Sequence, residues 1–494
     1  MIKKLFFMLL LASSVLSASA QVERPKLVVG LVVDQMRWDY LYYYYNEYGN
    51  GGLKRLLNEG FSCENTHLNY TPTVTAVGHS TIFTGAFPSV SGIAGNNFTI
   101  NDKEVYCCTD NGVKSVGSNN SAGQMSPHNM LVTTIGDELR IATNYQSKVI
   151  GVSLKDRASI LPAGQSANAA YWWDTKAGHF VTSTYYMNEL PQWVTDFNKA
   201  NHTKPGFDIK TSNLGVTVTF KMAEAALKNE QLGKHDATDM LTVSISSTDA
   251  IGHTYSTRGK ENHDVYMQLD KDLTTFLNTL DSEVGKGNYL LFLTADHGAA
   301  HNYNQMKSHK IPAGAWDYDK TTTELNTYLK GKFGMSQNPV MFEDNYQFFF
   351  NDSLIAACGK KKQDLIDASL QWLRNDPQFV YAVDNEKVAT ATMPDIFKKR
   401  IINGYFPHRS GEISVVTRPQ FFGAQDSPTY KGTQHGQPYP YDTHIPLVFM
   451  GWHVANGQSN IHYDMTDIAP TVCAMLHIQM PDGCVGTAIP EIAK

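Results

Sequence analysis

Asp249 and His253 stand four residues apart in SSTDAIGHTYS, and Asp296 and His297 adjoin at the end of NYLLFLTADHG. Asp34 closes the apolar run KLVVGLVVD, and His444 precedes another, HIPLVFMGW. Carboxylate and imidazole together are the usual donor set for zinc. A D-x-x-x-H pair on one helical turn presents both side chains on the same face. Singly, each pair is more often a helix cap or a surface contact than a metal site. Jointly they offer six ligands, enough for two metal ions about 4 Å apart in one crevice, an arrangement suited to in-line phosphoryl transfer.

A nucleophile is needed beside the metals. The segment NYTPTVTAVGHSTIFTG places Thr75 directly before AVGHSTIF, which reads as a short helix. A Thr there is explained by capping alone, but its hydroxyl also sits at the positive end of a helix. A bound metal would lower its pKa enough to furnish an alkoxide. Thr71, Thr73 and Ser80 remain rivals on these grounds, and His79 is better read as a buried His under the loop than as a base. Downstream, SGIAGNNF sets Asn96 on a Gly-rich turn, where its amide can donate to a substrate oxygen. The run VIGVSLKDRAS ends in Lys155, Asp156 and Arg157. Two cations at a strand tip fit either a polar turn or an anion site; Asp156 between them is expected to brace its neighbours.

Five segments share one design, an apolar run ending in a polar residue: 26–36, 148–157, 240–253, 288–298 and 444–452. Continuous apolar runs indicate strands covered on both faces. Helix-like stretches such as GLKRLLNEGF and MQLDKDLTTFLNTLDSEV separate them. The predicted fold is therefore α/β, a doubly wound, mostly parallel central sheet flanked by helices. In such sheets ligands bind outside the carboxyl ends of the strands, where Asp34, Lys155, Asp249 and Asp296 fall. The expected organisation is a catalytic core over 21–301 with a small insertion around 185–215. A cap or insertion over 302–430 comes next, and the core resumes over 431–494.

The first twenty residues, MIKKLFFMLLLASSVLSASA, carry two Lys, a short apolar run and an Ala-Ser-Ala end. They read as a cleavable signal peptide, so the protein is expected to be exported, periplasmic or secreted, without a membrane anchor. The 494-residue chain has a net charge of −6, more negative once Lys3 and Lys4 are removed, which argues against a nucleic-acid surface. Six Cys permit disulfides in an exported chain, and Cys473 with Cys484 would close a short loop. None has the C-x-x-C spacing of a thiolate zinc site. Oligomeric state is left open.

With these residues in hand, the chain resembles the alkaline phosphatase superfamily, and most of all its secreted, phosphate-irrepressible members with a Thr nucleophile. The matching features run in order over most of the chain: Asp34, the TAVGHS loop, Asn96 in GIAGN, Asp249 with His253, ADHG, and His444 in THIP. The resemblance implies two zinc ions. Asp34, Asp296 and His297 would hold one, with Thr75 completing it, and Asp249, His253 and His444 the other. It makes Thr75 the nucleophile and places Asn96, Lys155 and Arg157 on the phosphoryl oxygens. The implied activity is hydrolysis of small phosphate monoesters through a phosphothreonine, with release of phosphate. The loop PTVTAVG lacks the Cys and Arg of sulfatases. Two alternatives stay in view: a type I phosphodiesterase or nucleotide pyrophosphatase of the same superfamily, and a non-catalytic zinc-stabilised binding protein. The Lys-Asp-Arg tip favours the monoesterase, because a monoester dianion carries an extra charge for two cations to meet.

Overall fold

The computed structural model describes residues 22–493, so the expected signal peptide lies outside the described residues. An eleven-stranded sheet organises the chain. In chain order its strands are β1 (Leu27–Val33), β2 (Phe61–His67), β3 (Ser115–Val116), β4 (Val149–Ser153), β5 (Ala169–Asp174) and β6 (His179–Ser183). The remainder are β7 (Asp239–Ile245), β8 (Tyr289–Thr294), β9 (His444–Ile445), β10 (Leu447–Gly451) and β11 (Gly457–Asp464). The spatial order is β9-β2-β10-β8-β1-β7-β4-β5-β6-β3, with β11 also on β2.

The central run β8-β1-β7-β4-β5 is parallel throughout. Every residue of β1, β4, β7 and β8 is buried, as continuous apolar strands covered on both faces must be. Each buried Val, Leu or Ile contributes roughly 1.5–3 kcal/mol. The helices that flank the sheet include α1 (Thr75–Thr84), α2 (Asp156–Ala163), α3 (Asn213–Asn229), α4 (Ser247–Tyr255) and α5 (Lys260–Leu280). Helix α1 packs on α2, and α3 packs on α5 and against β7. The architecture is the α/β, mostly parallel fold expected. β10 differs from the central strands: it runs antiparallel to β8, with Leu447 opposite Thr294.

Two local expectations need correction. The strand through 148–157 stops at Ser153; Lys155 is the N-cap of α2 and Asp156 its first residue. Asp156 therefore obeys helix geometry. Thr75 is likewise the first residue of α1, with extended Val74 at the cap position. In YLYYYYNEYG only Tyr40–Tyr43 are helical; Tyr40, Tyr44 and Tyr48 are buried, the first two against Tyr266. All six Cys are unbridged, including Cys473 and Cys484.

Within 302–430 the chain builds a separate antiparallel sheet from residues 340–344, 347–350, 379–384 and 413–417. Its own apolar cluster includes Trp316, Leu329, Phe348, Leu365 and Ile413. The helix Asp395–Gly404 touches the core where it matters most. Arg400 Nε donates to the Leu68 carbonyl at 3.0 Å, Asn403 Nδ2 to the Asn69 carbonyl at 2.7 Å, and the Thr71 N–H to the Arg400 carbonyl at 3.0 Å. This helix thereby pins residues 68–71, just ahead of Thr75.

Candidate metal centre and nucleophile

The parallel strands end together, so the residues just beyond them converge. Asp34 follows β1, Lys155 follows β4, Asp249 opens α4 after β7, and Asp296 and His297 follow β8. Asp249 and His253 lie one turn apart in α4, with Oδ1 to Nε2 at 3.1 Å. Asp34, Asp296 and His297 form one group whose donor atoms lie within 4.8 Å of each other; Asp249, His297 and His435 form a second.

The histidine tautomers are fixed by what their other nitrogens touch. His297 Nδ1 meets the Gly298 carbonyl at 3.0 Å, His253 Nδ1 the Thr433 carbonyl at 3.0 Å, and His435 Nδ1 the Thr73 carbonyl at 2.7 Å. A carbonyl only accepts, so each Nδ1 carries a hydrogen and each Nε2 faces the crevice, with a lone pair on His297 and His435, while His253 Nε2 stands against Asp249 Oδ1. Backbone carbonyls of this kind are the usual orienting partners of metal-bound imidazoles. Two of these Nε2 atoms, on His253 and His435, approach to 3.3 Å. Such an approach is repulsive unless a proton or a cation lies between them.

The carboxylates show the same unmet demand. Asp34 Oδ1, Asp296 Oδ2 and His297 Nε2 are buried without a hydrogen-bond partner. They nevertheless face one another: His297 Nε2 lies 3.7 Å from Asp34 Oδ1 and 3.4 Å from Asp296 Oδ2. Burial, with Asp249 and Asp296 alongside, raises the Asp34 carboxyl well above the usual range, against the pull of Lys155. Burial also opposes ionisation of Asp249, yet His253, Lys155 and His435 hold it well below that range. Burial and the neighbouring His297 and His253 keep His435 neutral, the ligating form. Orphaned, buried, convergent oxygen and imidazole donors fit divalent cation binding.

Thr75 is buried at the mouth of this cluster, and its Oγ1 lies 3.4 Å from Lys155 Nζ. Gly78 explains how α1 comes so close: a Cβ there would stand 2.4 Å from the Asp296 carbonyl oxygen. His79 is fully buried, with Nδ1 2.8 Å from the Thr75 carbonyl and Nε2 2.7 Å from Ser244 Oγ. It braces the first turn of α1 against β7. Asn96 accepts from the Ala76 N–H at 3.0 Å through Oδ1, which leaves its amino group as a donor beside Thr75.

Lys155 is drawn further into the cluster than a strand tip facing open solvent implies. Its Nζ lies 2.6 Å from Asp34 Oδ2 and 2.6 Å from Asp249 Oδ2. Burial works against its charge, but Asp249 and Asp34 keep it cationic. Arg157 is held by Tyr106, whose hydroxyl receives its Nη1 at 3.1 Å and in turn donates to Asp156 Oδ1. Its Nε is buried with no partner. Asp156 thus braces Arg157 through Tyr106.

One predicted ligand is misplaced. His444 begins β9, paired in register with His67 of β2. Its ring is stacked between Trp38 and His67, 4.5 Å from each, and its Nε2 meets the Glu64 carbonyl at 2.8 Å. That bond puts the hydrogen on Nε2, the reverse of the three crevice histidines. The position is filled by His435, stacked on His297 with centroids 3.6 Å apart.

A family model for type I phosphodiesterase / nucleotide pyrophosphatase matches residues 28–438. The chain is 44% identical to the alkaline phosphatase PafA of Elizabethkingia meningoseptica, over 99% of each chain. Its crystal structure superposes with a TM-score of 0.92, covering 96% of this chain and 100% of that one. The chain belongs to this family, within the alkaline phosphatase superfamily. Alkaline phosphatase PhoV of Synechococcus elongatus is 43% identical over 96% of this chain and 94% of its own. A 44% identical protein of Myroides odoratus, covering 96% of each chain, bears the name calcium-transporting ATPase. Among the described residues here, no helix is long and apolar enough to cross a membrane.

Sequence reasoning within this superfamily missed three residues of the site: His435, Tyr106 and Gln35. His435 had a usable signal, because Thr433-Gln-His-Gly-Gln-Pro is a second Thr-His-Pro cluster beside the return to the core. Tyr106 and Gln35 had none, since their roles depend on contacts across long stretches of sequence.

Proposed function

We propose that this chain is an exported alkaline phosphatase that hydrolyses small phosphate monoesters at a two-zinc site through a phosphothreonine on Thr75. Asp34, Asp296 and His297, with the Thr75 hydroxyl, would hold one ion; Asp249, His253 and His435 would hold the other. The observation that carries this reading is the convergence of three carbonyl-oriented Nε2 atoms and the buried, unpartnered Asp34 and Asp296 oxygens. The relatives named alkaline phosphatase support the substrate class, and the Ala-Ser-Ala leader supports export.

When bound, the two ions supply Lewis acidity that lowers the Thr75 pKa and stabilises the departing oxygen. The chain supplies the rest. The first turn of α1, braced by His79 and by the insertion's hold on 68–71, aims Thr75 Oγ at phosphorus in line with the leaving group. Asn96, fixed through Ala76, donates to one non-bridging oxygen. Arg157, steadied by Tyr106 and Asp156, and Lys155 meet the others with charge-assisted bonds that strengthen as charge shifts onto the phosphoryl group. Attack forms the Thr75 Oγ–P bond and breaks the bond to the leaving oxygen. Water then cleaves the Oγ–P bond, releasing phosphate and restoring the hydroxyl. The insertion over 302–430 shapes the approach to this site.

The matching family's description favours one second reading, a diesterase. A paired assay decides: a generic aryl phosphate monoester against the matched methyl aryl diester on zinc-loaded protein. The expected result is a kcat/KM for the monoester far above that for the diester. A diester preference would make the chain a phosphodiesterase.

A further inference from the structure

We infer that Gln35 is a positioning residue that serves both cation sites at once, fixing the Asp249 carboxylate through its side chain and Asp296 through its backbone. The inference rests on the two-cation reading above. Gln35 follows Asp34 at the end of β1 and is buried. Its Nε2 donates to Asp249 Oδ1 at 2.6 Å, and its N–H donates to Asp296 Oδ1 at 3.1 Å. Asp249 and Asp296 belong to different donor groups. One residue thus touches a ligand of each.

Two further observations show that the position is built. Gln35 adopts φ 63°, the left-handed region that non-glycine residues avoid. Strain of that kind persists only where the surroundings over-determine it, and here it turns the Gln35 amide and N–H toward two carboxylates. On the opposite wall, a Cβ on Gly252 would stand 2.0 Å from Gln35 Oε1. The glycine of Asp249-Ala-Ile-Gly-His is thereby explained. It leaves room on α4 for the Gln35 amide next to the Asp249–His253 pair.

The geometry also predicts asymmetry. The His297 N–H donates to Asp296 Oδ1 at 3.0 Å as well, so Asp296 keeps a second brace and its backbone contact survives any side-chain change at Gln35. Among the described residues, Asp249 Oδ1 has no backbone donor; its contacts are Gln35, His253 and, at 3.7 Å, His435. Removing the Gln35 amide leaves Asp249 braced only by flexible side chains, Lys155 on Oδ2 among them, while Asp296 keeps two backbone donors, so one cation is loosened more than the other.

The test is zinc binding by the full-length protein, measured by equilibrium dialysis in chelator-buffered zinc with metal content read by mass spectrometry. Gln35→Met keeps the volume and removes the donor. One zinc should bind as in wild type and the second about 10–100-fold more weakly, the usual cost of losing an orienting partner. The zinc needed for half-activity should rise by the same factor. Gly252→Ala, which displaces an unaltered Gln35, should give the same selective loss, and Gln35→Ala/Gly252→Ala should lose no more than either alone. If wild type binds two ions and Gln35→Met binds both with wild-type affinity, or loses both alike, the role of Gln35 is overturned. If wild type itself binds fewer than two, the two-cation reading falls and this inference with it.

Discussion

His435 lies ring on ring with His297, 3.6 Å between centroids and 17° between planes, and each offers its Nε2 to the same crevice. Its Nε2 also stands 3.3 Å from that of His253. His444, by contrast, spends its Nε2 on the Glu64 carbonyl. His435→Ala should therefore remove about one zinc per chain and lower kcat/KM by several orders of magnitude. His444→Ala should keep both ions and most of the activity. Metal analysis and kinetics on the two variants separate them; zinc loss in the His444 variant alone would reverse the assignment.

Thr75→Ala should leave zinc content unchanged and reduce turnover by about a thousandfold or more, the scale on which removing a nucleophile acts. Thr75→Ser should retain a substantial fraction, because it keeps a hydroxyl on the first residue of α1. Steady-state rates with parallel zinc analysis check both. Full activity in Thr75→Ala would move the nucleophile to Thr71, Thr73 or Ser80.

Arg157→Ala and Lys155→Ala should each slow monoester hydrolysis by about 10–100-fold, the worth of one or two charge-assisted hydrogen bonds. Diester hydrolysis should suffer less, since a diester presents one fewer anionic oxygen. Tyr106→Phe keeps the ring but releases Arg157 from its hydroxyl, so a smaller loss with the same monoester bias is expected. Equal losses on both substrates would return the Lys-Asp-Arg tip to the status of a polar turn.

Glu343, in the separate four-stranded sheet, gives a pH dependence away from the candidate metal centre. Burial, with Asp344 alongside, pushes its carboxyl from 4.5 to about 8. Between those values the unfolded chain has lost the proton that the native protein keeps, so native binds more protons and stability falls as pH rises. Glu343→Gln preserves the acceptor for the Tyr346 N–H at 2.7 Å without the charge. The melting midpoint of the variant should exceed wild type at pH 8–9 by an amount worth about 1–3 kcal/mol and match it near pH 4–5. A gain independent of pH would assign the effect to packing.

Much of the site was legible because parallel strands place their carboxyl ends together. Apolar runs ending in Asp34, Asp249 and Asp296 predicted both the fold and the crevice, and the four-residue spacing put His253 on the face of Asp249. What failed was contact made at a distance. His444 sits at the correct end of the sheet, because β10 runs antiparallel and begins there. Its pairing with His67, however, carries the ring to the sheet edge, and linear spacing does not report that register. The end of the strand at Ser153 is hidden because VIGVS runs on without a break signal, while the helix that begins at Asp156 draws its stability from packing on α1 and β4. Gln35 is visible only once the left-handed turn after β1 is known.

The covalent step is tested most directly by rapid acid quench of zinc-loaded protein turning over a phosphate monoester, with peptide mass spectrometry on the quenched protein. Phosphate is expected on the peptide containing Thr75, located on that residue and absent from Thr75→Ala. Turnover with no phosphorylated peptide, or with phosphate on another residue, would contradict a phosphothreonine on Thr75.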